Sequence, residues 1–319
     1  MANNFGLGAR KMAIAGTYAA KVASRHGLIS FSYSAGLSTA WKLFSQFSEE
    51  YGIKKMEFVT YDLLVNYGQE LAMRVEDKDL EAGTAQGYVS AVNTIMGLAT
   101  QGRWKSVSAT QDCSIPERSF SRVDAPVALD RIMYSRALEA VRTNIDERGA
   151  VIIELCREMG LRSKEASLLD ARKAIAETKI SGFMNISAGT KGGRNRMLQI
   201  STATQPGVLE RACAVQGDGR SMIPAKLSWK QWRECPLRDI RETVQAALSG
   251  DGLHDLRSSY ACERYEVLTG FSAPVCGGER PNRNTDRAAR LQISKELGHG
   301  RIDVTNAYLG GQKNETKQP

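Results

Sequence analysis

Residues 296–308 read Glu296-Leu-Gly-His299-Gly-Arg-Ile-Asp303-Val-Thr305-Asn-Ala-Tyr308. Leu297-Gly298 has the form of a helix end, because glycine takes the left-handed conformation that closes a helix without a Cβ clash. A short turn follows, then a second short helix for which Asp303 is the expected N-cap. Tyr308 faces the same cleft as His299 only if that turn folds the second helix back. A tyrosine near a histidine is by itself ordinary core or surface, so the preceding chain decides what the pair means.

The chain has 319 residues, 42% hydrophobic and 24% charged, which is the make-up of an ordinary folded protein with room for two cores. No apolar run reaches the roughly 18–20 residues of a membrane span, and the start lacks the charged-then-apolar pattern of a signal peptide. Six cysteines, at 113, 156, 213, 235, 262 and 276, show no C-x-x-C spacing. They read as reduced thiols of a cytoplasmic protein rather than zinc ligands or a disulfide frame. The net charge of +8 is unevenly spread: residues 1–48 hold Arg10, Lys11, Lys21, Arg25 and Lys42 and no acid, while acids crowd into 49–81. A basic face suits a module laid on a polyanion; charge alone fits a solvated surface as well.

Taken in order, residues 7–26 can form a helix. A second is expected from Ser34 as N-cap to Tyr51, with Leu37, Trp41, Phe44 and Phe47 at helical spacing. Thr60 caps a third, and a fourth spans about 82–101. Residues 103–126 lose periodicity and read as a linker. Helices are expected at about 128–141 and 144–160. Two strands, Phe183–Ser187 and Met197–Thr202, are joined by the glycine-rich turn AGTKGGRNR at 188–196. Helices resume at about 205–215, 229–248, 254–268 and 285–297, with a loop over Gly270–Asn284.

Three short motifs lie upstream of His299: GLRSKE at 160–165, the turn carrying Lys191, and HDLR at 254–257. Singly, Arg162 and Arg257 could be ion-pair arginines, His254 a capping residue and Lys191 an exposed turn lysine. Together and in this order, Arg162, Lys191, His254-x-x-Arg257, His299 and Tyr308 resemble the catalytic domain of the tyrosine recombinases, the family of phage integrases, Xer recombinases and Cre. The resemblance covers about 128–309. It implies a mostly α fold with a small antiparallel β-sheet. Its domains would be a helical core DNA-binding domain at 1–105, a linker at 106–127, the catalytic domain at 128–309 and a flexible C-terminal tail at 310–319.

The chemistry of that family explains the residue types. Tyr308 would attack phosphorus to give a 3′-phosphotyrosine and a free 5′-hydroxyl, so that the bond energy is kept for rejoining. Arg162 and Arg257 would clamp the non-bridging oxygens, a bidentate task that lysine cannot perform. His299 would donate a further hydrogen bond to them. Lys191 would protonate the leaving oxygen, and His254 would take the tyrosine proton. Glu165 would support the site from behind. No metal and no cofactor are expected. The expected partner is double-stranded DNA, met by Arg10, Lys11, Lys42, Arg103, Lys105, Arg194 and Arg196. The chain would act as a homotetramer on DNA and be nearly monomeric when free. Accessory DNA-bending or directionality factors are compatible, and no membrane is involved. The resemblance places such a chain in the bacterial cytoplasm, at the nucleoid, as the integrase of a mobile element. A Xer-type resolving enzyme, a DNA-binding protein without catalysis and a type IB topoisomerase are the alternatives. The 45 residues from His254 to His299 exceed the usual interval. The excess falls in 271–290, a loop with Arg280, Arg283, Arg287 and Arg290 whose order without DNA is open.

Overall fold

Capping hydroxyls and spaced apolar side chains build the N-terminal part of the molecule. The structure, a computed structural model, describes residues 3–279 and 281–311. Of the flexible C-terminal tail expected at 310–319, the residues from Gln312 on lie outside the described residues. By its contacts the chain divides into Met1–Ser119 and Phe120–Pro319.

The first unit consists of α1 (Met12–Arg25), α2 (Phe31–Glu50), α3 (Tyr61–Glu76) and α4 (Ala82–Ala99). Helix α1 begins five residues later than its apolar pattern suggests. Asn4 binds the carbonyls of Ala9 and Arg10 and accepts from the Met56 amide, which holds the entry segment out of the helix. Helix α2 begins earlier than expected: Ser30, not Ser34, accepts from the Tyr33 amide and caps it, and Ser34 is buried inside it. Thr60 caps α3 through the Leu63 amide. Trp41, Phe44, Phe47 and Tyr67 form the centre, with Phe44 and Phe47 ring centroids 5.3 and 5.0 Å from Tyr67. Burying a side chain of this size stabilises the fold by about 1.5–3 kcal/mol. A Cβ at Gly16 would lie 2.2 Å from the Trp41 ring, so glycine alone lets α1 approach α2 this closely.

The stretch 106–127 is not free. Val107, Cys113 and Ile115 are buried in the core of the first unit, and Asn93 binds both the amide and the carbonyl of Val107. Arg122 instead ties to the second unit through Asp255 and the Asn306 carbonyl.

The second unit holds α5 (Arg131–Asn144), α6 (Glu147–Glu158), α7 (Ser163–Leu168), α8 (Ala171–Ser181), β1 (Phe183–Ile186), β2 (Arg196–Gln199), α9 (Thr204–Gln216), α10 (Trp229–Glu234), α11 (Pro236–Ala247), α12 (Leu253–Thr269), α13 (Arg283–Glu296) and α14 (Asn306–Leu309). It is mostly helical with one two-stranded antiparallel sheet, paired from Phe183↔Gln199 to Ile186↔Arg196. Helix α6 is buried from Gly149 to Arg157 and forms the middle of the unit. The helix expected over 229–248 is broken, because Cys235 leaves helical geometry before Pro236 starts α11. Asp303 does not cap a helix but opens a 3-10 turn, Asp303–Thr305, leading into α14. Among the described residues no helix is long and apolar enough to cross a membrane.

Candidate active site

Gly160, at the end of α6, takes φ +60, and a Cβ there would lie 2.5 Å from the Tyr260 ring. The chain therefore turns tightly and delivers Arg162 to the first residue before α7. Glu165, one turn on and 1% exposed, accepts from the Arg162 amide at 2.8 Å and from its Nη1 at 2.7 Å. The carboxylate aims the guanidinium, whose Nη2 lies 3.3 Å from His299 Nε2.

His254 and Arg257 are three apart at the start of α12 and so share a face. Arg257 is fully buried. It donates to the carbonyls of Gly160 and Leu297, and its Nε reaches the Tyr308 hydroxyl at 3.4 Å. Each Nη carries a second N–H that can meet an anion.

Leu297 closes α13, Gly298 takes φ +68, and the His299 amide returns to the Ser294 carbonyl at 2.7 Å. The turn brings α14 back beneath α12. Tyr308, 3% exposed, puts its hydroxyl 3.0 Å from His299 Nε2. Its ring centroid is 5.4 Å from that of His254. The structure thus gathers Arg162, Arg257, His254, His299 and Tyr308 into one cluster. His299, rather than His254, holds the tyrosine hydroxyl.

Lys191 is exposed in the turn Lys191–Gly193 between the strands. Arg194, also exposed, sets its Nη1 3.8 Å from where a Gly300 Cβ would be, so its side chain reaches the His299 loop. Arg10, Lys11, Lys42, Arg103 and Lys105 are all exposed on the first unit, with Lys105 Nζ 4.8 Å above the Tyr61 ring. Arg196 is different. It faces inward from β2, binds both Glu165 oxygens at 2.7 Å and is 7% exposed. The expectation that it contacts DNA is corrected: its charge is spent inside the protein.

In the region 271–290 the expected final helix is present, starting two residues earlier than 285. Helix α13 begins at Arg283, and Arg290 is buried. Arg290 binds Asp286 at 2.9 Å, Asn306 Oδ1 at 3.0 Å and the Gly310 carbonyl. It clamps both ends of the tyrosine helix. Gly310, which sequence places at the start of the flexible tail, is buried at φ +79 against Val275 and the Arg122 carbonyl. Sequence reasoning missed this clamp, since an arginine in a charged helix gives no local sign of burial.

Charge settles the protonation states. Burial and the charges of Arg257, Arg162, Arg196 and Lys191 push His299 down to about 4. Desolvation by the surrounding side chains and the Arg257 charge lower His254 as well, although the residue keeps an exposed edge. Burial lowers Arg257 to about 10, which leaves it charged at neutrality. Burial opposes the charge of Glu165, yet the Arg196 hydrogen bonds and charge prevail and hold it at about 2. His299 is therefore neutral at pH 7, and its Nε2, facing the Tyr308 hydroxyl, can accept a proton.

One pH effect follows. An unfolded histidine binds a proton near 6.5, the folded His299 only near 4. Between those values the unfolded chain holds more protons, so stability falls as pH drops from about 6.5 to about 4. Thermal melts between pH 7 and 4.5 should show this decline, and His299→Asn should flatten part of it. Equal slopes in both proteins would remove His299 as the source.

Among the described residues, no group of three or more His, Cys, Asp or Glu side chains converges as a metal site would require. What does converge is two guanidiniums, two imidazoles and a phenol, an arrangement that can bind a tetrahedral anion and activate a hydroxyl toward it.

The comparisons with known proteins bear on the fold. The family model described as integrase matches residues 117–263. The chain is similar in fold to a lambda integrase dimer bound to a COC′ core site, at 14% identity over 95% of each chain, TM-score 0.58. It is similar to the XerH site-specific recombinase in its post-cleavage complex with palindromic difH substrate, at 15% identity over 93% of this chain and 82% of that one, TM-score 0.58. The Tn1549 transposon integrase in complex with a circular intermediate DNA shares 12% identity over 92% and 94%, TM-score 0.59. At such identities the likeness is one of fold. No curated protein matches the chain. The resemblance carried by the motifs is thus met again by a family model and by the fold.

Proposed function

We propose that this chain, a protein of tyrosine-recombinase fold and integrase resemblance, is a site-specific DNA recombinase. It cleaves and rejoins duplex DNA through a 3′-phosphotyrosine, in the integration and excision of a mobile element. The observation that carries the reading is the position of the Tyr308 hydroxyl, 3.0 Å from a neutral His299 Nε2 and 3.4 Å from Arg257 Nε. The integrase match and the DNA complexes of the similar proteins support it.

In this mechanism the scissile phosphate enters between Arg162 and Arg257, which take its non-bridging oxygens. Tyr308 attacks phosphorus while its proton passes to His299 Nε2, the nearer of the two imidazoles. The imidazolium so formed then faces the negative charge growing on the phosphate, which favours the transition state over the ground state. His254 sets its ring beside that of Tyr308, centroids 5.4 Å apart. The leaving 5′-oxygen takes a proton from Lys191, which the hairpin presents to solvent. Attack of a 5′-hydroxyl on the phosphotyrosine reverses every step.

A substrate with sulfur in the 5′-bridging position tests the acid. A thiolate leaves without a proton, so Lys191→Ala should lose about 100-fold or more on ordinary DNA, within the usual range for a general acid, and approach the wild-type rate on the sulfur substrate. An equal defect on both substrates would assign the proton transfer elsewhere.

A further inference from the structure

Strand β2 alternates, with Arg196 and Leu198 facing the core and Met197 and Gln199 facing out. A buried guanidinium needs partners for its charge and its N–H groups, and Arg196 has three. Nη1 and Nη2 meet the two Glu165 oxygens side by side, each at 2.7 Å. Nε donates to the Glu296 carbonyl at 2.7 Å, in the last residue of α13. Its Cδ and Nη1 lie 3.0 and 3.2 Å from where a Gly298 Cβ would sit, so the turn that carries His299 packs on its flank.

These contacts reach three functional groups from inside the protein. Glu165 aims Arg162 with the same carboxylate that Arg196 holds. The Glu296 carbonyl precedes His299 by three residues. The backbone of Arg196 ends the turn that begins at Lys191. We infer that Arg196 is a positioning residue of the active site. It holds Glu165 in the place from which the carboxylate aims Arg162, and it fixes the roots of the His299 turn and of the Lys191 hairpin. This rests on the function proposed above.

Without Arg196 the buried Glu165 carboxylate loses its bidentate partner and its fixed position, and Arg162, bound to the same carboxylate, shifts with it away from the substrate. Lysine is no replacement, because a single ammonium cannot span two carboxylate oxygens and a carbonyl in one plane. A displacement of about 1 Å in such a site can cost about 100-fold in rate.

The test uses the full chain. A pool of nicked duplexes with random core sequence is incubated with wild type, and DNA that becomes protein-linked is recovered and sequenced to give a substrate. Arg196→Met and Arg196→Lys are then compared with wild type for melting temperature, DNA affinity and single-turnover cleavage. Both variants should bind DNA as tightly as wild type and cleave about 100-fold more slowly. On DNA with a neutral methylphosphonate at the scissile position, the arginine clamp has less charge to neutralise, so the Arg196→Met defect should shrink. Combined with Glu165→Gln, the loss should be less than additive. Weakened binding with an unchanged rate at saturation would make Arg196 a DNA contact and overturn the inference, as would an equal defect on both phosphates. Arg196→Lys keeps the buried charge and decides the matter if Arg196→Met does not fold. A wild type that links to no DNA in the pool removes the proposed function, a result distinct from an active wild type matched by its Arg196 variants.

Discussion

Tyr308→Phe should bind DNA as wild type does and form no covalent adduct at all. Phenylalanine fills the same buried place, since only the hydroxyl is removed and the ring keeps its contacts with His254 and Arg257. Arg257 Nε loses one acceptor, at a cost of about 1–3 kcal/mol, while its bonds to Gly160 and Leu297 remain. The fold therefore survives, and the lost function is assignable to chemistry. A denaturing gel of the variant with nicked DNA measures it; a shifted band from the phenylalanine protein would place the nucleophile elsewhere.

Arg257→Met should lose both cleavage and stability. The side chain is fully buried and joins three parts of the unit: the end of α6 at Gly160, the end of α13 at Leu297 and the hydroxyl of Tyr308. Removing it strands two buried carbonyls and leaves Glu165 without a charge 3.7 Å away. Breaking a buried charged network of this kind costs about 3–5 kcal/mol, against a total stability of about 5–15 kcal/mol for a typical protein. The variant should fold at low temperature, melt many degrees below wild type and link to DNA below detection. Arg257→Lys should recover little, for one ammonium cannot reach three acceptors at these angles. Urea unfolding followed by circular dichroism reads the stability, and a methionine variant as stable as wild type would contradict the network described here.

The cluster was legible where its signals are local. Gly298 announces the turn before His299, three-residue spacing puts His254 and Arg257 on one face, and the glycines around Lys191 announce a hairpin. What stayed hidden depends on partners distant in sequence. Arg196 meets Glu165 from 31 residues away and Glu296 from 100. Its strand also reverses the usual pattern, with Arg196 buried and Met197 exposed. Arg290 looks like one of several solvated arginines until α13 lies against α14. The start of α2 shows a third limit: Ser30, Ser32 and Ser34 can all cap, and only the burial of Leu37 and Trp41 fixes the register. Helices α7 and α8 are too short or too weakly amphipathic to stand out from sequence. Sequence favours His254 as the base, whereas in the fold it is His299 Nε2 that lies 3.0 Å from the Tyr308 hydroxyl; spacing along the chain cannot rank the two imidazoles by distance.

The most direct measurement is the identity of the residue joined to DNA. Wild-type protein trapped on nicked duplexes from the random-core pool is digested with protease and nuclease, and the modified peptide is sequenced by mass spectrometry. The expected result is a nucleotide 3′-phosphate on Tyr308 and a free 5′-hydroxyl on the released strand. A linkage to any other residue, a 5′-phosphate on the peptide, or a wild type that acquires no nucleotide would contradict it.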